Sequence, residues 1–143
     1  MTRIDFYFNV INKPQVLADL VQTALTKRRQ VTICVADEST AAIVSADLWQ
    51  HKPESYIPNV AANHAAATQT PVVIHWQNMA LQQDELLINL MANQPVFFSR
   101  FTHLIELVSD DEQDKIAARA RFKFYRDRGY EIKSINYAQT SVI

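Results

Sequence analysis

Hydrophobic positions in the first fifty residues switch between strand spacing and helix spacing. Residues 4–8 alternate and are rich in aromatics, and residues 31–35 are mostly β-branched, so each run predicts a strand. Apolar residues recur every three or four positions over 14–25 and 41–49, which predicts two helices. The cations at 27–29 follow the first of these, where they would complement its dipole. This strand–helix–strand–helix order is typical of an α/β sheet with parallel pairing.

The second half of the chain repeats the strand pattern. Short apolar runs predict four further strands, at 71–76, 85–90, 102–108 and 130–136. Residues 97–101 fit no single element, 52–58 form an irregular connector, and the small polar residues 59–70 predict a surface loop. No repeat or change of composition divides the chain, so we expect one domain over residues 1–143. Its expected class is α/β: three layers, with a mixed, mostly parallel sheet and helices on both faces.

One helix near the C-terminus is the clearest single feature. It is predicted to follow a cap at residues 109–111 and to end at Gly129, the only glycine of the chain. Four apolar residues share one arc of this helix and are predicted to face the core: Ile116, Ala117, Ala120 and Phe124.

A basic stripe occupies the other side of the same helix. Its cations are spaced i, i+4, i+8 and i+11, with Phe122 among them: Lys115, Arg119, Lys123 and Arg126. Such a stripe suits a ligand that is both acidic and apolar, although the spacing equally fits a solvated cationic face. Residues 115–133 carry seven bases and two acids, a local charge of +5 in a chain of net charge −1, so the remainder sums to about −6. This asymmetry favours a particular acidic partner over polyanions in general.

The residue types exclude most catalytic templates. A single glycine cannot build a Walker loop, a dinucleotide fingerprint or a nucleophile elbow, so a Rossmann-like sheet here would lack a phosphate-binding loop. The histidines show no metal-ligand spacing, and His75 and His103 fall in predicted strands, where a structural role is expected. Cys34 lies in an apolar strand and is predicted to be buried and inert. The sequence therefore predicts no enzyme, no metal site and no cofactor.

Composition also bears on location and partners. No apolar run approaches the ~18 residues of a membrane helix, and the N-terminus lacks a signal-peptide pattern, so we expect a cytoplasmic protein with no membrane contact. Trp49, at a predicted helix end, is followed by Tyr56 and Pro58 in a proline-bounded turn. These residues fit either a cap on the core or an apolar patch for a protein partner.

Three stretches together resemble a known family. They are the aromatic opening at 6–8, residues 47–49 with 54–58, and above all the pattern at 118–130. In these stretches, and in length and order of elements, the chain is similar to the chi subunit of bacterial DNA polymerase III holoenzyme. The resemblance implies a non-catalytic accessory subunit of the clamp-loader assembly. It also implies two protein partners: the psi subunit and the acidic C-terminal tail of single-stranded DNA-binding protein, with DNA contacted only indirectly.

The resemblance further implies which residues bind each partner. The tail-binding positions correspond to Val108, Lys115, Arg119, Phe122 and Lys123, with Arg126 beside them. Arg119 and Lys123 would take the terminal carboxylate, and Phe122 and Val108 would enclose the terminal phenylalanine. The psi-binding positions correspond to Trp49, Tyr56 and Pro58. Position 56 is a tyrosine here, where the family usually has phenylalanine.

A second hypothesis uses the same helix differently. Its bases could bind single-stranded nucleic acid directly, with Phe122 and Tyr125 as stacking platforms. The near-neutral net charge of the chain argues against this alternative.

Overall fold

A seven-stranded parallel sheet organises the computed structural model, which describes residues 1–50 and 57–137. In the described part of the chain the strands are β1 (Arg3–Val10), β2 (Val31–Cys34), β3 (Val60–Ala61), β4 (Val72–His75), β5 (Leu86–Asn89), β6 (His103–Ser109) and β7 (Ile132–Asn136). Their order across the sheet is β3-β4-β2-β5-β6-β1-β7, and every pairing between them is parallel.

Helices cover both faces of this sheet. On one face, α1 (Lys13–Thr26) and α2 (Glu38–Trp49) pack over a core that includes β2, β4 and β5. On the other face, α3 (Glu112–Asp127) packs over an aromatic-rich core with side chains of β1 and β6. Strands of a parallel sheet are buried from both sides, which explains their near-continuous apolar runs. The predicted α/β class with three layers is confirmed.

Local signals set the helix ends as predicted. The side chains of Asn12, Asp37 and Asp111 cap the three helices by accepting hydrogen bonds from backbone N–H groups in the first turn, at 3.1, 2.8 and 3.1 Å. After α3, Gly129 adopts φ 83°, which is accessible to glycine at little cost. The N–H of Tyr130 then bonds to the carbonyl of Tyr125, closing the last turn.

Residues 59–70 are not the plain surface loop that their composition predicts. Val60 and Ala61 form strand β3 and pair with Val73 and Ile74 of β4. Ala62 is buried, and a 3₁₀ turn follows at Ala67–Gln69. A strand of two residues is too short to show a period, and small side chains give a weak hydrophobic pattern. The sequence pattern therefore does not predict this edge strand.

The arc of α3 that faces the core also differs from the prediction. Ile116 is 54% exposed, and the buried positions are Ala118, Arg121 and Tyr125. The helix is rotated because Arg121 finds a buried carboxylate at Glu106 of β6. A hydrophobic pattern counts arginine as an outward residue, so the periodicity of α3 points to the wrong face.

Candidate functional site

An apolar cleft of about 280 Å³ opens between α3 and the carboxyl ends of β1 and β6. Its floor is formed by Phe6, Val108 and Ala118, all of them buried. Phe8 and Phe122 form its half-buried walls. Apolar surface of this shape, left open by the fold, is suited to receiving one ring or aliphatic group.

Phe122 joins the cleft to the core. Its ring packs edge-on against that of Phe6, with the ring centroids 5.3 Å apart. The Phe122 side chain is therefore half-buried, between the core and the solvent. The contact with Phe6 holds the ring in place while part of its surface lines the cleft.

Two cations form the rim. Lys115 and Arg119 stand one turn apart on α3, and both line the cleft. The Lys115 ammonium lies 3.7 Å from the carboxylate of Glu112, which is 74% exposed. So long and exposed an ion pair contributes little stability, and an incoming carboxylate can replace it.

Polar groups line the mouth of the cleft. Asn9 lies at an irregularity in the register of β1 and adopts φ 60°, a left-handed conformation that asparagine tolerates better than most residues. Its side-chain N–H donates to the amide oxygen of Asn136, 3.1 Å away. Ser109 closes the opposite side by donating through its backbone N–H and its hydroxyl to Asp114, at 2.8 and 2.9 Å.

Asp114 connects the first turn of α3 to the N-terminus of α1. Besides accepting the hydrogen bonds from Ser109, Asp114 forms an ion pair with Lys13, whose Nζ lies 2.7 Å from Asp114 Oδ2. Partial burial alone would raise the pKa of Asp114, but the bonds from Lys13 and Ser109 outweigh burial and lower it. The entrance of the cleft is thus tied to both helices.

A buried polar network sets the rotation of α3. Glu106 is fully buried and accepts from Arg121 Nε at 3.0 Å, from the Tyr125 hydroxyl at 2.7 Å and from the Asn89 amide at 3.0 Å. Burial raises the pKa of Glu106, and these three donors act in the opposite direction. Arg121 also donates to the carbonyl of Ala92 at 2.8 Å. With Arg121 and Tyr125 fixed inward, Phe122 and Arg119 face the cleft.

The structure brings together four of the six predicted tail-binding residues. The four that line the cleft are Val108, Lys115, Arg119 and Phe122. Lys123 and Arg126 are exposed on later turns of α3, about 6 and 10 Å along the axis from Arg119. Arg126 is paired with Asp127 at 3.5 Å.

The second predicted surface lies at the end of α2. Trp49 is 44% exposed while its neighbour Leu48 is buried, so part of the Trp49 side chain is open to a partner and the rest is covered by the protein. Ile57 donates its N–H to the carbonyl of Leu48 at 2.9 Å, which brings exposed Pro58 back towards this helix end. Tyr56, the third predicted member, lies outside the described residues.

Sequence reasoning did not assign several cleft residues. Those added by the structure are Phe6, Phe8, Asn9, Ser109, Ala118 and Ser134. Phe6 pairs in register with Glu106 of β6 and Ser134 of β7, so the crossing of α3 over these strands brings the cleft residues together. No local spacing in the sequence signals that crossing.

Reactive side chains outside the cleft have structural roles. Cys34 is buried, as predicted, and burial followed by the nearby Glu106 charge raises its pKa to about 12. His103 is held by Asp5, with Nε2 and Oδ2 2.7 Å apart. Within residues 1–50 and 57–137, no three metal-ligating side chains cluster, and no helix is both long and apolar enough to cross a membrane.

Comparison with known proteins identifies the family. The family model described as DNA polymerase III chi subunit, HolC, matches residues 1–133 of the chain. This chain belongs to the chi subunit family. It is therefore an accessory subunit of a DNA polymerase III and has its place in DNA replication, as the resemblance implied.

Individual relatives agree with this assignment. The DNA polymerase III subunit chi of Pseudomonas aeruginosa is 33% identical over 137 residues, covering 93% of this chain and 95% of that protein. The chi subunit of Haemophilus influenzae is 30% identical over 123 residues, covering 85% of each chain. Among solved structures, the C-terminal domain of Saccharomyces cerevisiae Dbp5 matches with a TM-score of 0.57 at 12% identity, covering 98% of this chain and 94% of that one. That likeness concerns the fold alone.

Proposed function

We propose that this chain is a non-catalytic adaptor that couples polymerase III to protein-coated single-stranded DNA. It binds the acidic C-terminal tail of single-stranded DNA-binding protein in the cleft, and the psi subunit at the end of α2. It needs no cofactor, acts in the cytoplasm and meets DNA only through its partners. The observation that carries the proposal is the cleft with an apolar floor and a rim of Lys115 and Arg119.

The cleft suits a peptide that ends in phenylalanine with a free carboxylate. The terminal ring enters between Phe8 and Phe122, above the buried floor. Arg119 takes the carboxylate through charge-assisted hydrogen bonds, and Lys123 approaches the same group from one turn further along. Lys115 and Arg126 meet acidic residues upstream in the tail.

Burial of the ring is the largest single contribution to the binding free energy. A phenylalanine side chain gains roughly 1.5–3 kcal/mol when it leaves water. Exposed ion pairs contribute about 0–1 kcal/mol each and mainly set orientation and salt sensitivity. For so small a footprint we expect a micromolar affinity, which corresponds to about −8 kcal/mol.

The psi contact uses the other side of the sheet. Trp49 ends α2, which packs on the face opposite to α3. An exposed tryptophan beside a proline is a typical anchor for a protein partner. Because the two surfaces are on helices of opposite layers, both partners can be bound at once, as an adaptor requires.

Calorimetric titration with an acidic peptide ending in phenylalanine tests the cleft. We expect micromolar binding that is lost when the peptide is amidated at its C-terminus. Arg119→Ala and Phe122→Ala should each abolish measurable binding. Matched controls are Arg100→Ala, an exposed arginine outside the cleft, and Phe124→Ala, a half-buried phenylalanine of the same helix that does not line it.

The same titration distinguishes tail binding from the alternative, which is direct binding of single-stranded nucleic acid by α3. Undiminished affinity in both Arg119→Ala and Phe122→Ala would refute the site. If neither the free nor the amidated peptide binds, and a naked oligonucleotide binds with an affinity that falls steeply with salt, then α3 binds single strands directly.

A further inference from the structure

A group of charged side chains lies at the amino edge of the sheet, away from the cleft at its carboxyl edge. His103 begins β6, Arg3 begins the neighbouring β1, and Arg29 precedes β2. Asp5, on β1, completes the group. Lys27 is the C-cap of α1, at the negative end of its dipole, and Arg29, two residues further on, contacts His103.

Both arginines contact the same imidazole ring. Arg3 Nη2 lies over the ring, 3.2 Å from His103 Nδ1 and 3.5 Å from Nε2, and Arg29 Nη2 lies 3.3 Å from Nδ1. The two guanidinium nitrogens are therefore at most 6.5 Å apart, the sum of their distances from Nδ1. Two like charges at this separation repel unless an anion lies between them.

His103 cannot satisfy both donors. Its Nε2 donates to the Asp5 carboxylate at 2.7 Å, which leaves Nδ1 with one lone pair in the neutral ring. Burial lowers the pKa of His103, which favours that neutral form. One lone pair accepts one good hydrogen bond, so the second guanidinium has a donor without a matched acceptor.

We propose that Arg3 and Arg29 form a binding site for a single phosphate group. Two guanidinium groups at this separation can hold the oxygens of one phosphate by charge-assisted hydrogen bonds. Arg3 is exposed and Arg29 is half-buried, so a small anion can reach both from solvent. Arg3 also borders an open groove of about 480 Å³, which Arg29 does not line. Asp5 and His103 are positioning residues, because Asp5 holds the imidazole ring that both arginines contact.

The neighbouring charges limit the ligand to one phosphate. Arg28 and Arg100 add positive charge in the segments that lead into β2 and β6. Glu85, however, precedes β5 and accepts from the N–H of Gln30 at 3.4 Å, and Glu131 lines the groove with Lys133. A long polyanion would meet these carboxylates. A free phosphate ion or the terminal phosphate of a nucleic acid would not.

Nuclear magnetic resonance of the intact chain tests the proposal. We expect saturable shifts of the Arg3 and Arg29 Nε–Hε signals, and of the His103 Nδ1 signal, on adding inorganic phosphate but not chloride at equal ionic strength. Arg3→Ala and Arg29→Ala should each weaken phosphate binding at least about tenfold. The control Lys27→Ala removes the same charge from the same segment and should change affinity less than about twofold.

Oligonucleotides distinguish the sources of the phosphate. Tighter binding of a 5′-phosphorylated oligothymidine than of its unphosphorylated form supports a terminal phosphate, and equal binding of both, through a backbone phosphate, would contradict it. Binding of inorganic phosphate alone supports a free ion. Absence of saturable shifts, or equal losses in Lys27→Ala and Arg29→Ala, would overturn the site. Tail-peptide affinity should be unchanged in Arg3→Ala and Arg29→Ala, so this test is independent of the cleft.

Discussion

Arg121 and Glu106 form an ion pair inside the domain, with Nε and Oε1 3.0 Å apart and side chains only 2% and 0% exposed. Arg121 belongs to the helix that carries the basic stripe, yet it serves the fold. The pair fixes which side of α3 meets the sheet. The cations Lys115 and Arg119 consequently lie at the rim of the cleft.

Replacing Arg121 with methionine should strongly destabilise the protein. Arg121→Met keeps apolar volume but leaves the Glu106 carboxylate buried without its cation, which costs about 3–5 kcal/mol. Urea unfolding measures the loss. The control Arg126→Met removes an exposed cation from the same helix and should stay within about 0.5 kcal/mol of the parent. A loss below about 1 kcal/mol in Arg121→Met would contradict the role of the pair.

Tyr125→Phe isolates one hydrogen bond of the same network. The hydroxyl donates to Glu106 at 2.7 Å in a fully buried setting, so its removal should cost roughly 1.5–3 kcal/mol. Tyr130→Phe is the matched control, since Tyr130 also packs on Phe98 but is only half-buried and lies outside the network. Equal unfolding free energies for the two variants would show that the Tyr125 hydroxyl contributes nothing specific.

The stability of the protein should fall as the pH drops below neutral because of His103. Burial, opposed by the hydrogen bond that His103 donates to Asp5, lowers the pKa of His103 below the ordinary 6.5. The unfolded chain therefore takes up this proton first, and stability is lost from pH 6.5 down to the folded pKa. The slope from one proton is at most about 1.4 kcal/mol per pH unit. His103→Gln should flatten urea-unfolding curves measured between pH 7 and 5 relative to the parent; parallel profiles would exclude His103 as the cause.

Trp49→Ala should separate the two proposed partners. We expect it to abolish binding of psi while leaving the affinity for the tail peptide unchanged, because α2 and α3 pack on opposite faces of the sheet. Calorimetry with each partner in turn makes the measurement. Ile43→Ala, which shortens another exposed apolar side chain of α2, is the control and should affect neither. Loss of tail binding in Trp49→Ala would mean that the two surfaces are coupled.

Short-range patterns foretold most of the elements. Alternation and apolar runs predicted six of the strands, and each predicted boundary lies within two residues of the observed one: β1, β2, β4, β5, β6 and β7. Asp37, Asp111 and Gly129 marked helix ends because capping depends on neighbours within a few positions of the chain. The basic stripe of α3 could also be predicted from the sequence, since four cations at helical spacing share one side of any regular helix.

Long-range contacts set everything else. Arg121 is buried because the Glu106 carboxylate and the Ala92 carbonyl, from two other parts of the chain, accept its hydrogen bonds in the core, and no periodicity predicts those contacts. The floor of the cleft exists because β1 lies beside β6 beneath α3. Arg29 contacts His103, which lies 74 residues away along the chain. Local spacing encodes which side chains share a face, whereas the burial of charge and the shape of a cleft depend on partners that only the folded chain brings together.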